Sequence, residues 1–268
     1  MAQPAAALDT FPKYLLLNAE RFGGRPAMRH KDYGIWQTWN WAEQLDEIRA
    51  FAIGLKQLGF GHGDRVAIVG ANRPRLYWTF AAVQSLGGVP VPVYADAVAE
   101  EMAYVLDHAG VRFAVAQDQE QVDKLLTFHE TIPALTNVIY DEPRGLRDYP
   151  RERLHDFADV QAKGRAALAA DPAAGRAWEE GVRAGSGDDV SVMLYTSGTT
   201  GRSKGVVLTA AASVKAALDT VTFDRLSEND SVLAYLPLAW VGDHYLNFAQ
   251  GYVSGFCINC PESQQTVP

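Results

Sequence analysis

The chain has 268 residues, the length of two average domains or one large one. With 24 basic and 32 acidic side chains, its formal charge of −8 argues against a dedicated nucleic-acid binder, whose footprint is a basic surface. A 48% hydrophobic, 21% charged composition is that of an ordinary globular protein, and only two cysteines argue against a disulfide-stapled scaffold.

In chain order, the first 60 residues read as mainly helical, with a helix over Trp39–Leu58 carrying Trp41, Leu45, Ile48, Ala52 and Leu55 on one face. Gly59 to Gly63 closes it. The pattern then predicts a strand over Asp64–Gly70, a helix over Arg75–Leu86 and a strand over Val89–Tyr94. A helix over Glu100–His108, a strand over Val111–Ala116, a helix over Gln119–Glu130 and a strand over Asn137–Tyr140 follow. This alternation predicts right-handed βαβ units, an α/β fold of mainly parallel sheets flanked by helices. Residues 141–187, rich in Arg, Asp, Glu, Ala and Gly, read as a surface excursion with one or two helices between α/β portions at 1–140 and 188–268. The last portion predicts a strand to Tyr195, a polar loop, a helix over Ala210–Asp224, a strand over Ser231–Leu236, a helix over Asp243–Val253 and a strand over Gly255–Cys260. A parallel sheet needs both faces covered, so the short PESQQTVP end suggests a chain that stops inside a fold, a C-terminal tail being the alternative.

The N-terminal MAQPAAALDTFPK has no basic stretch followed by an apolar core, so a cytoplasmic protein without a signal peptide is expected. Leu76 to Ala95 carries no charge over 20 residues, about the length of a membrane span. Its Gly87-Gly88 pair and its prolines at 90 and 92 instead predict a helix, a break and a buried strand.

The segment most informative about chemistry is Val190 to Thr209. A hydrophobic strand runs into Thr196, Ser197, Gly198, Thr199, Thr200 and Gly201, and Lys204 follows. Glycines let the main chain approach a ligand, successive N–H groups form an anion-binding concavity, and the hydroxyls add donors. With a mobile cation beside it, this is a cradle for a polyphosphate. It differs from the common P-loop, because Lys204 follows Ser203 and precedes Gly205 instead of standing between Gly and Ser/Thr.

Tyr195 to Gly205, YTSGTTGRSKG, resembles the signature loop of the acyl-adenylate-forming superfamily, with Ser203 where the family has proline before its lysine. Gly63–Ile68 and Asn72–Trp78 are similar to the family's first strand and following helix, the latter in its long-chain fatty acyl-CoA synthetase branch. Leu236–Asp243 is similar to a substrate-side motif that commonly ends His-x-x-Glu, with Trp240 and Asp243 at those two positions, and Glu262-Ser263 also fits the long-chain branch. The resemblance spans residues from about 10 onward. It implies a ligase that uses ATP and Mg²⁺ to turn a fatty acid into acyl-AMP and then transfers the acyl group to coenzyme A. It implies phosphate contacts from Thr196 through Gly201 and Lys204, a magnesium contact from Thr196, and an acyl-side role for Trp240 and Asp243. Family members are more than twice as long. Their adenine, ribose and catalytic-lysine groups have no counterpart in residues 1–268, so the resemblance implies an N-terminal fragment, inactive alone, with a missing C-terminal half. A homodimer and peripheral membrane contact are compatible with this. The alternatives are an adenylating ligase for an aryl or short-chain acid and a non-catalytic fragment that only binds nucleotide or packs with a partner.

Other residues read more plainly. Cys257 and Cys260 form half a zinc motif, but three apart on a strand they face opposite sides, as two unrelated thiols. His244 beside Asp243 does not share its helix face, so a solvent or helix-start role is expected for it, and a helix-start role for Asp243 as well. Trp36, Trp39 and Trp41 read as strand-edge packing beside a helix start, a membrane-surface patch being the alternative.

Overall fold

A computed structural model describes residues 7–128, 130–196 and 202–263. After α1 (Phe11–Phe22), the chain forms a hairpin of β1 (Pro26–Asp32) and β2 (Ile35–Asn40). This departs from the helical reading of the first 60 residues. Tyr33 and Gly34 both take positive φ, 47° and 76°, as a tight two-residue hairpin turn requires. The next helix, α2 (Trp41–Gln57), starts two residues later than the periodicity suggested. Asn40 fixes that start: its side chain accepts from Glu43 N–H, and the Glu43 carboxylate accepts from Asn40 N–H.

The predicted βαβ alternation then appears as β3 (Arg65–Val69), α3 (Pro74–Ser85), β4 (Val89–Val93), α4 (Ala99–Ala109), β5 (Phe113–Ala116), α5 (Gln119–Thr127) and β6 (Asn137–Tyr140). The uncharged stretch from Leu76 is thus α3, a Gly-Gly turn and β4, and among the described residues no helix is long and apolar enough to cross a membrane. Residues 141–187 add β7 (Leu154–Asp156), which the sequence did not reveal, then α6 (Phe157–Ala170) and α7 (Pro172–Ala184). These helices are packed into the protein: Phe157, Val160, Trp178 and Val182 belong to the main apolar core. At the crossing of α2 and α6, Gly54 and Gly164 bring the two backbones so close that a Cβ on either would overlap a carbonyl of the other helix.

β8 (Val190–Thr196) is followed by β9 (Lys204–Thr209), where a loop was expected, and then by α8 (Ala210–Asp224), capped by Thr209. The Val-Val-Leu run of β9 pairs antiparallel with β8. After β10 (Ser231–Leu233) comes a helical run: α9 (Val241–Asp243), a π-helical stretch (His244–Ala249) and α10 (Gln250–Ser254). The last described element is β11 (Cys257–Cys260).

The strands form three sheets. The first is wholly parallel, in the order β4-β3-β5-β6-β7. The chain leaves β3 to one side for β4 and returns to the other for β5, which makes a switch point where ligands settle beyond the carboxyl ends of such strands. The second sheet runs β10-β11-β1-β2, parallel except for the β1–β2 hairpin, and the third is the β8–β9 pair. One apolar cluster spans Phe11, Ile68, Phe157, Val192 and Ile258, so residues distant in sequence share a core.

Candidate functional site

The polar loop leaves β8 at Thr196 and returns at β9. Ser197, Gly198, Thr199, Thr200 and Gly201 lie outside the described residues. The two described members of the predicted phosphate set, Thr196 and Lys204, are direct partners across the antiparallel pair, and both are exposed. The strand pair therefore fixes the two ends of the loop side by side. Residues 190–195 of β8 anchor this arrangement: Ser191, Val192, Leu194 and Tyr195 are buried, so the strand cannot slip without exposing apolar surface.

Thr196 and Ser203 line a cavity of about 370 Å³ together with Trp240 and Val241 and with Val93 and Tyr94 from the end of β4. Trp240 is 47% exposed. A large aromatic at that exposure presents an apolar face to whatever enters the cavity. Thus the structure brings Trp240 and the loop's first hydroxyl together, although they are far apart in the chain.

Asp243 lies elsewhere. It is only 1% exposed and turned into the interior, away from the cavity that Trp240 lines. Its Oδ1 accepts from Asn72 Nδ2 at 2.8 Å, Tyr77 Oη at 2.8 Å and Asn247 Nδ2 at 2.6 Å. Burial without a facing cation pushes its carboxyl up to about 7, and the three donors pull against that rise. Asp243 lies in the first turn of the helical run, as expected, and its side chain also ties that run to α3 through Tyr77. The sequence did not point to Asn72, Tyr77 and Asn247 as its partners. Asn247 lies four residues on, a spacing that hints at contact, whereas the other two are brought near only by the tertiary fold.

His244 is a second correction. It is 1% exposed, and its ring sits among Phe11, Phe80 and Phe248, centroid distances 6.1, 5.9 and 5.4 Å. Among the described residues neither ring nitrogen has a hydrogen-bond partner, and burial pushes its pKa down to about 4. The solvent role read from the sequence fails because the π-helical stretch turns this position inward.

The tryptophans at 36, 39 and 41 divide their roles. Trp41 is buried and donates Nε1–H to Gly255 O at 3.1 Å, Trp39 packs edge-on against Trp78 at 5.4 Å, and Trp36 is 45% exposed on the edge strand β2. Cys257 and Cys260 are both buried free thiols. Among the described residues, no group of three or more His, Cys, Asp or Glu side chains could hold a metal ion.

Residues 16–268 match the AMP-binding enzyme family. The chain belongs to that family. Its membership agrees with the resemblance carried by Tyr195–Gly205. This AMP-binding chain is 27% identical over 235 residues to the human long-chain-fatty-acid–CoA ligase ACSBG2, covering 87% of this chain and 34% of that protein. It is 30% identical over 210 residues to the long-chain-fatty-acid–CoA ligase FadD15 of Mycobacterium tuberculosis, covering 78% of this chain and 33% of that one. The chain thus spans about a third of the length of these curated relatives. Among solved structures, a putative long-chain-fatty-acid CoA ligase from Rhodopseudomonas palustris superposes with a TM-score of 0.75 at 20% identity, over 95% of this chain and 57% of that one. The o-succinylbenzoate CoA synthetase of Bacillus subtilis, in complex with ATP and magnesium, gives 0.69 at 18% identity, over 93% of this chain and 57% of that one. These likenesses establish the fold as that of adenylate-forming enzymes.

Proposed function

We propose that this chain is the ATP-phosphate and acyl-binding portion of an AMP-forming fatty acid–CoA ligase. The observation that carries the reading is the shared cavity: Thr196 and Ser203 of the hairpin line it together with Trp240, and Lys204 is the strand partner of Thr196. A triphosphate held by the hairpin has its α-phosphorus accessible to a carboxylate whose apolar tail lies against Trp240. The carboxylate oxygen bonds to the α-phosphorus, and the bond to the bridging oxygen breaks, so pyrophosphate leaves and acyl-AMP forms. The thiolate of coenzyme A then attacks the acyl carbon and AMP leaves. Lys204 places positive charge beside the departing phosphates, where charge accumulates in the transition state. The hydroxyl of Thr196 fits a magnesium ion that arrives with the triphosphate, since magnesium is commonly held by few protein ligands together with substrate phosphates.

Relatives named as long-chain ligases favour a fatty acid as the substrate. Neighbours of the same fold bound to an o-succinylbenzoyl adenylate or to aspartate favour a second reading, an adenylating ligase for a small polar or aryl acid. Mg-ATP titration of this chain and of Lys204→Ala tests the phosphate assignment. The expected result is saturable binding that weakens at least several-fold in the variant, and equal binding by both overturns it. Competition for a fluorescent fatty acid probe by palmitate, octanoate, benzoate and succinate then separates the two acid classes.

A further inference from the structure

We infer that helix α4 is the positioning element of the phosphate hairpin, with Tyr104 and His108 holding the strands that carry Thr196 and Lys204. This rests on the hairpin's proposed role in binding phosphate. The contacts themselves are independent of that role. Tyr104 and His108 stand four residues apart on α4 and therefore share one face. Their rings stack, with centroids 5.4 Å apart and planes inclined by 30°. From this pair, contacts reach both ends of the hairpin. His108 Nδ1 and the phenol oxygen of Tyr195 are in hydrogen-bond contact at 2.7 Å, and the two rings meet edge-on at 5.8 Å. The Arg202 guanidinium lies 5.4 Å from the centre of the Tyr104 ring.

Tyr195 immediately precedes Thr196, and Arg202 lies two residues before Lys204. α4 thus grips the chain just before the first phosphate residue and just before the last. The hairpin is built for this grip. Tyr195 pairs directly with Gly205, where a side-chain carbon would stand only 3.2 Å from the tyrosine ring. The missing side chain makes room for the ring to cross the strand pair toward His108. The same helix contributes Glu101 and Val105 to the wall of the cavity that Thr196 and Trp240 share. One rigid element therefore contacts the hairpin and also bounds the cavity.

The hairpin needs such support. Val206 and Val207, consecutive and hence on opposite faces of β9, are 42% and 50% exposed, so apolar burial secures β9 weakly. Contacts of this type, a hydrogen bond and a cation over an aromatic face, each shift an equilibrium a few-fold.

The test uses this chain with Tyr104→Leu, Tyr104→Phe, Tyr195→Phe and Arg202→Gln. Two measurements are made on each, calorimetric titration with Mg-ATP and hydrogen–deuterium exchange. Tyr104→Leu, Tyr195→Phe and Arg202→Gln are expected to weaken Mg-ATP binding by about 3- to 10-fold. Tyr104→Phe keeps the ring and should stay within about twofold of the unaltered chain. Exchange at Val206–Leu208 should quicken in the three weakened variants, while the amides of β3 and β5 keep their rates. Rescue by phenylalanine at 104 separates positioning from general destabilisation. If the unaltered chain binds Mg-ATP and all four variants match it, the inference is overturned while the phosphate reading stands. If the unaltered chain binds no Mg-ATP, the phosphate reading falls, and exchange decides the grip: unchanged rates in β9 overturn it, and faster rates support it.

Discussion

Asp243 and His244 are neighbours in the chain and nearly inaccessible, yet their protons respond to pH in opposite senses. The Asp243 carboxyl titrates at about 7 in the folded protein, above its unfolded value, so its favourable state is the protonated one. That contribution is complete below about pH 4 and is lost as the pH rises through 7. His244 titrates at about 4, below its unfolded value, so its contribution is complete above about pH 6.5 and is lost as the pH falls toward 4. Asp243→Asn should therefore remove a loss of stability on the order of 1–4 kcal/mol between pH 5 and 8, read as the difference between the two proteins' urea midpoints. His244→Phe should leave stability at pH 8 nearly unchanged and flatten its fall below pH 6. Equal pH slopes in parent and variants would show that the two groups titrate normally. The proposed roles of Lys204 and Trp240 are separable in the same way. In a complete ligase carrying this segment, Lys204→Ala should slow pyrophosphate release by about 10²-fold, the lower end of the cost of losing a preorganised charge. Trp240→Ala should shift the preference for acyl-chain length and leave the ATP response intact. Pyrophosphate release across a series of acids distinguishes the two outcomes. At this scale residue type and order singled out the loop, and the family resemblance singled out Trp240. The sequence could not show Asp243's partners, because Asn72 and Tyr77 are about 170 residues away in the chain.

The crossing of α2 and α6 sets two glycines against opposing backbone. A methyl group at Gly164 has no space, so Gly164→Ala should cost about 1–3 kcal/mol or more by forcing the helices apart. Gly181 in α7 is the control: nothing lies within 4 Å of the position a Cβ would take, and Gly181→Ala should be neutral or stabilise by up to about 1 kcal/mol. Denaturant unfolding of both variants checks the pair. If Gly164→Ala proves as harmless as Gly181→Ala, the close helix contact is wrong. Elements with strong periodicity and local punctuation were legible: β6 and α8 lie where the pattern put them, and the βαβ series from β3 onward follows in order. Those that escaped are short or poorly buried. β2 is exposed over most of its length, β7 has three residues, and β9 has only exposed and half-buried positions, with no regular alternation. Strands of this kind have no buried face to impose alternation, and their pairing partners decide them. β1 joins β11 across some 230 residues, a contact that no local window contains.

Across the whole molecule, the first sheet's carboxyl ends, the β8–β9 hairpin and the approach to the π-containing helix converge on one side. Tyr94 after β4, Thr196 at the end of β8 and Trp240 before α9 border a single cavity. Tyr94 follows a strand of the parallel sheet, whose loops leave at its carboxyl end, and β8 packs against that same strand β4, which brings Thr196 to it. On the proposed reading, the arrangement supplies one flank of an adenylation site. This chain covers 34% and 33% of the lengths of the two relatives named as CoA ligases. Correct placement of reactants accounts for roughly 7–11 kcal/mol of a barrier, and on that reading a single flank holds the phosphates and the acyl tail without fixing the attacking carboxylate oxygens or the thiol. The 268-residue chain by itself is therefore expected to bind Mg-ATP without producing acyl-CoA. The measurement is an assay with palmitate, Mg-ATP and coenzyme A, run beside Lys204→Ala. Product that scales with protein concentration and disappears in the variant would show that this segment alone positions all three reactants, and the one-flank account would fail.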